Sequence, residues 1–302
     1  MSRTPVISIR AVKKSYGVFA LGPINLEVEP GCVVAIVGPN GGGKSTLLGM
    51  LMNLVRPTSG QISIFGGRYP EDELAIKQKI GYAPESLPGC DDLSVKSLRA
   101  LASHFYPGWD QRLYEDALAD VAPGSHDLFG KLSAGTQRRL GVALALATGC
   151  ELLLLDEPTA GLDPLARDRV LGDISRFMAD ERHGDRTVVF TTHLIKEVTQ
   201  IADYVALLVD GKLGFFEKDA LLEGWKVFWL DKEPERGVPG TIELQGGDPA
   251  CIVSDSPRET AEALRAQNVR IVHRRTLDLE EILTRLMNRR DEGHLASPHA
   301  GE

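Results

Sequence analysis

Nine consecutive residues, Gly38-Pro39-Asn40-Gly41-Gly42-Gly43-Lys44-Ser45-Thr46, constrain this chain more than any other stretch. They fit G-x-x-x-x-G-K-[ST], a loop whose backbone N–H groups wrap phosphate oxygens. The run Val33-Val34-Ala35-Ile36-Val37 before it reads as a buried strand, and Thr46 to Met52 can open a helix. The glycines let the backbone curl so that successive N–H groups converge. The helix N-terminus adds its positive end. Lys44 can reach the outer phosphates, and the Ser45 hydroxyl can ligate Mg²⁺. A Gly-rich turn before an ordinary helix would account for the glycines, but not for Lys-Ser placed directly after them.

A second motif complements the first. Leu152-Leu153-Leu154-Leu155-Asp156-Glu157 is an apolar strand ending in two carboxylates. An acid at the carboxyl end of a parallel strand lies beside the phosphate loop. Asp156 can hold Mg²⁺ directly or through water, and Glu157 can polarise an attacking water as a general base. Together the motifs imply a nucleoside-triphosphate hydrolase, without saying what the hydrolysis drives. Three shorter features follow the same theme. Ser133, in Leu132-Ser133-Ala134-Gly135-Thr136-Gln137-Arg138-Arg139, is placed to cap a strongly apolar helix, Leu140 to Thr148. Ala160-Gly161-Leu162-Asp163-Pro164 follows the acidic pair. Thr187 to Thr192 reads as a strand with His193 just past its end. Alone, His193 would read as a loop residue.

The order and spacing of these five motifs closely resemble the ATP-binding cassette (ABC) family, over roughly residues 5 to 220. Gly38 to Thr46 matches the Walker A loop, and Asp156-Glu157 the Walker B pair. Leu132 to Thr136 matches the signature motif, Gly161-Leu162-Asp163 the D-loop and His193 the switch histidine. Tyr16, in Lys14-Ser15-Tyr16-Gly17, matches the aromatic residue that stacks on adenine. The resemblance implies an α/β fold: a P-loop NTPase core with an antiparallel β edge subdomain, a helical signature subdomain and, here, a small α+β C-terminal appendage. It implies ATP and Mg²⁺ as cofactors, with Ser45, Asp156 and Glu85 toward the metal. It also implies two cassettes packed head to tail. Ser133 and Gly135 of one would cap the γ-phosphate held by Lys44 of the other, and His193 would contact that phosphate and the partner's Asp163 loop. Such an arrangement is an isologous two-fold, with ATP as part of the interface.

Two departures from the family pattern stand out. Ile80-Gly81-Tyr82-Ala83-Pro84-Glu85 ends in an acid where glutamine is usual. Its carboxylate can still approach Mg²⁺ or the attacking water, and it adds negative charge there. The signature carries Ala134 and Thr136 where Gly and Gln are commoner, while Ser133 and Gly135 remain.

The 302 residues suggest one large domain with an appendage, and 43% hydrophobic content suffices for a sizeable core. No run approaches the roughly 18–20 apolar residues that span a bilayer, and Met1 to Pro5 lacks the apolar core of a signal peptide. A cytoplasmic location, peripheral on the inner face of the membrane, is the corresponding expectation. The net charge of −8 argues against a broad nucleic-acid-binding face. Cys32, Cys90, Cys150 and Cys251 lack C-x-x-C spacing and read as reduced structural thiols. Arg138-Arg139 and Arg274-Arg275 read as solvated or salt-bridged pairs.

Val6 to Val12, Ile24 to Val28 and Gln61 to Phe65 alternate as strands of an antiparallel edge sheet. Val95 to Phe105 and Leu113 to Val121 are helical segments of a subdomain spanning about 86–140. Leu152–Leu155, Asp168–Asp180, Val188–Thr191, Ile195–Ile201 and Val205–Val209 alternate strand and helix, which implies a parallel core. The ATPase domain is thus assigned to 1–220 and a C-terminal extension to 221–290. In the extension, 231–249 reads as loop, Pro257 to Gln267 as helix, Val269 to His273 as strand and Leu277 to Asn288 as helix. The last residues, 291–302, read as a disordered tail.

A single cassette without a long coiled coil is similar to the separate ATPase subunit of a membrane transporter, acting with a polytopic permease and a second cassette, identical or not. Glu85 and the extension containing Thr276 to Ile282 are similar to bacterial exporter ATPases of the ABC-2 type. Phe105-Tyr106-Pro107-Gly108-Trp109-Asp110 resembles a stretch in ATPases of antibiotic-responsive exporters, and reads equally as a helix-breaking turn with an aromatic staple. Residues 85–110 are the expected docking groove for a permease helix. The alternatives are an importer ATPase, an ATP-driven switch acting on a protein or ribonucleoprotein, and a regulatory subunit that binds ATP with little turnover.

Overall fold

The computed structural model describes residues 4–17, 19–180 and 184–288. The tail at 291–302 lies outside them. The chain divides into two compact units at Phe215/Phe216.

The first unit is built on a six-stranded sheet, ordered β5-β6-β7-β3-β8-β9. Its strands are β3 (Val33–Val37), β5 (Ile80–Ala83), β6 (Leu152–Leu155), β7 (Thr187–Thr192), β8 (Tyr204–Val209) and β9 (Lys212–Glu217). From β5 to β8 the pairs run parallel. Every residue of β3, β6 and β7 is buried, as expected of parallel strands covered on both faces. A smaller antiparallel sheet pairs β1 (Ile7–Tyr16) with β2 (Phe19–Val28) and β4 (Ser59–Ile64). Both the parallel core and the edge sheet were legible as periodicity. Inward residues such as Ile7, Ile9, Leu26 and Ile64 join β3, β6 and the helix after the P-loop, α1 (Lys44–Leu51), in one apolar core.

The helices of this unit are α2 (Glu73–Lys77), α3 (Val95–Phe105), α4 (Gln111–Leu118), α5 (Ala134–Leu146), α6 (Pro164–Met178) and α7 (Ile195–Ile201). Helix α5 starts six residues before the apolar run that betrays it, because Ser133 caps it: the Ser133 hydroxyl accepts the Thr136 N–H at 3.1 Å. Asp110 caps α4 through the N–H groups of Arg112 and Leu113, at 2.9 and 3.1 Å. The Tyr106 hydroxyl donates to the Ile80 carbonyl at 3.0 Å, and Trp109 packs on Tyr114. The aromatic stretch from Tyr106 to Asp110 is therefore a helix-joining turn fastened at both ends.

The second unit holds an antiparallel sheet ordered β11-β12-β10-β13. Its strands are β10 (Lys226–Leu230), β11 (Thr241–Gln245), β12 (Ala250–Ser254) and β13 (Ile271–Thr276), with helices α8 (Lys218–Gly224), α9 (Pro257–Ala266) and α10 (Leu279–Asn288). Phe228, Leu230, Ile252, Leu264 and Val269 form its core. Strand β11 lies within 231–249, where the sequence reads as loop. Its half-exposed pattern gives no clean alternation, and only pairing with β12 makes it a strand.

Candidate functional site

Strand β3 delivers the chain into the P-loop at Gly38. A Cβ there would stand 2.0 Å from the Leu208 carbonyl of β8, so only glycine allows the two strands this approach. Gly41 and Gly43 adopt φ of 78° and 101°, a region open to glycine. Gly43 is the N-cap of α1, whose first N–H groups have no partner within the helix and present a positive end. Lys44 is 6% exposed. Its ammonium donates to the carbonyls of Gly38 and Pro39 at 2.9 and 3.3 Å, which folds it back over the loop.

The carboxylates arrive from β6, next but one to β3 in the sheet. Asp156 is buried, and its Oδ1 accepts the Thr191 hydroxyl at 2.6 Å. The same hydroxyl accepts the Glu157 N–H at 2.8 Å, so one threonine of β7 sets both acids. Glu157 has φ 47°, a left-handed conformation that costs a non-glycine residue energy and recurs at functional sites. That twist places its carboxylate between two partners: Lys44 Nζ stands 3.4 Å from Oε1, and His193 Nδ1 stands 2.9 Å from Oε2. His193 is held at the end of β7, where Thr192 donates to the fully buried Glu197 at 2.6 Å. Thr159 also donates to Glu197, and Arg167 pairs with it at 3.5 Å.

Together these groups wall a cleft of about 380 Å³, lined by Phe19, Asn40, Gly41, Gly43 to Thr46, Glu85, Glu157, Ala160 and His193. Asp156 lies just behind, in an adjoining cleft that also includes Glu85. Not every residue singled out by sequence lines this cleft. Ser133 and Asp163 are exposed caps of α5 and α6; Asp163 accepts the Ala166 N–H at 3.0 Å. Gly135 sits in the first turn of α5. Tyr16 is 48% exposed beside Lys14, 4.9 Å from ammonium to ring centre, while Phe19 faces the cleft. Sequence reasoning missed Phe19, Thr191 and Glu197. Only the position of the threonine at the end of a strand beside β6 could have signalled it.

The ABC transporter family profile matches residues 21–160. The bacitracin transport ATP-binding protein BcrA of Bacillus licheniformis is 33% identical over 212 residues, covering 69% of this chain and 68% of that protein. The chain belongs to the ABC transporter family. The cassette is an ATPase: it binds and hydrolyses ATP. The Nod factor export ATP-binding protein I of Cupriavidus pinatubonensis is 29% identical over 306 residues, covering 95% of the cassette chain and 92% of its own. A dimeric ATP-binding cassette solved in a post-hydrolysis state with ADP and Pi superposes with a TM-score of 0.61 at 24% identity, over 70% of this chain and 98% of that one. It shows the shared cassette fold. Among the described residues no helix is long and apolar enough to cross a membrane.

Arg139 is buried and paired bidentately with Asp120, at 2.6 and 3.0 Å, and that hydrogen bonding holds the Asp120 carboxyl below its ordinary range. Burial pushes the Cys32 thiol up to about 12 and raises Cys150. All four cysteines are free.

Proposed function

We propose that this cassette is the ATPase subunit of a membrane exporter, at the inner face of the cell membrane, acting as one of two cassettes that close on ATP. The observation that carries it is a divided site. The Glu157 carboxylate is held between Lys44 and His193 over the P-loop, whereas Ser133, Gly135 and Asp163 lie outside that cleft on the same chain. A second cassette turned by a two-fold would supply them.

Lys44 and the N–H groups of the loop would bind the phosphates, and Tyr16 would stack on adenine. Glu157 would accept the proton of the attacking water, with His193 holding its carboxylate in place. The oxygen donors Ser45, Asp156 and Glu85 fit Mg²⁺, which keeps phosphates and water in its shell and needs only one or two protein ligands. Bound there, Mg²⁺ would neutralise charge developing on the phosphates. ATP then favours the closed pair, and hydrolysis withdraws that bias.

Export is supported by the relatives named for bacitracin transport and Nod factor export. A polytopic permease would dock on the helical subdomain within residues 85–110. Leu101 and Phe105, one turn apart on α3, are 53% and 62% exposed and form an apolar contact for it. Glu157→Gln should lower turnover by roughly 10²–10⁴-fold while nucleotide still binds; near-normal hydrolysis would overturn the general-base role. Purification from gently solubilised cells should recover a stoichiometric permease. Recovery as a soluble dimer, or with ribosomes, would move the reading to a soluble switch.

A further inference from the structure

Among the described residues, Glu85 alone lines both the nucleotide cleft and its neighbour, a cleft of about 380 Å³ between the segment after β5 and helix α5. Facing it there is Arg138, on the first turns of α5 and half-buried. Its Nη1 donates to the Asp156 backbone carbonyl at 3.4 Å. Burial pulls the Arg138 pKa down, while Glu85, Asp156 and Glu157 act the other way and favour its charge. An arginine lends its charge best where it is partly shielded from water.

The charge balance of the site gives this contact a purpose. Three carboxylates, Glu85, Asp156 and Glu157, stand around a loop that must also accept anionic phosphates. Lys44 meets one of them, at 3.4 Å. Arg138 brings a second cation from the opposite motif, on the helix capped by Ser133. A purely structural Arg138 would need only its bond to the Asp156 carbonyl, and a neutral donor could make it.

We propose that Arg138 is a positioning residue of the nucleotide site. Its guanidinium offsets the third carboxylate, Glu85, so that phosphates can enter, and it ties α5 to the end of β6. This rests on the nucleotide-site reading above.

The test is a double-mutant cycle on the full-length chain, reading the affinity of a fluorescent ATP analogue with and without Mg²⁺, together with kcat and KM for hydrolysis. Arg138→Gln should weaken nucleotide binding about ten-fold, even without Mg²⁺. Arg138→Lys, which keeps the charge, should recover most of that affinity. Glu85→Gln is the other edge of the cycle. Read without Mg²⁺, where a ligand role of Glu85 makes no contribution, the double variant should recover most of the affinity that Arg138→Gln alone loses. Such rescue cannot come from packing, since both Arg138→Gln chains lose the same contacts. Equal losses in the single and double variants, or failure of Arg138→Lys to recover, would overturn the proposal. Lys44→Ala separates the two levels. If it leaves affinity unchanged, the site itself is misread; if it weakens binding while the Arg138 cycle is additive, only the role of Arg138 falls.

Discussion

The two units of this chain treat charge in opposite ways. In the first, Lys44, Arg139, Asp156, Glu157, Asp173 and Glu197 are all buried. In the second, the buried polar side chains among the described residues are the hydroxyls Ser254 and Thr260, which bond each other at 2.6 Å. Among the described residues its ion pairs, Arg270 with Asp231, Arg275 with Glu281 and Arg285 with Glu243, reach solvent. Taking a charge out of water costs several kcal/mol, so a buried pair is poor evidence of stabilisation. A fold keeps such groups where they do something else. In the first unit Lys44, Asp156 and Glu157 stand at the phosphate loop, while Arg139 and Asp173 pair with Asp120 and Arg176. The second unit is held by apolar packing and carries its charges outside.

The strongest way to break this comparison is to remove one partner of a buried pair. Asp120→Ala should destabilise the first unit by roughly 3–5 kcal/mol in denaturant unfolding, because it leaves the buried Arg139 guanidinium without the carboxylate that pairs with it at 2.6 and 3.0 Å. A loss below about 1 kcal/mol would mean the pair behaves as a surface pair. In the second unit the matching effect should come from carbon. Phe228→Ala should cost about 3 kcal/mol there, read as lost protection from hydrogen exchange in β10 and β12, with nucleotide affinity kept. If nucleotide binding falls as well, the units are coupled.

Lys44→Ala sharpens the first half of the comparison. It should weaken ATP binding about ten- to a hundred-fold, the value of losing charge-assisted hydrogen bonds to phosphate. The smallest effect belongs to the exposed pair. Hydrogen bonding to Arg275 holds Glu281 down from 4.5 to about 2. A depressed carboxylate stabilises the fold above its unfolded pKa, and that contribution drains away as pH falls through the folded value. Glu281→Gln should therefore cost about 1 kcal/mol or less at neutral pH, and the gap to wild type should close between pH 4.5 and about 2. A gap that persists in acid would point to packing instead of charge.

Legibility followed locality. The strands around the P-loop showed as continuous apolar runs, and Ser133 as a cap, because capping joins residues two or three apart. Strand β11 escaped notice because its partner, β12, decides it. Thr191 and Phe19 escaped for a related reason: nothing in their own surroundings distinguishes them from other strand residues. Arg138 read as solvated or salt-bridged, and only the tertiary structure brings it into one cleft with Glu85 and Asp156.

What the sequence determined by itself is the phosphate loop and its class of chemistry. Gly38 to Thr46 specify their own shape, since the left-handed glycines, the lysine and the helix start are neighbours along the chain. What only the tertiary structure decided is the company that loop keeps. Glu157 meets Lys44 and His193, and Glu85 stands between the nucleotide cleft and Arg138, because the strand order β5-β6-β7-β3 brings distant strand ends to one edge. Side-chain chemistry is written residue by residue, but distances between strand ends depend on which strands pair, and that is settled by burial of the whole sheet.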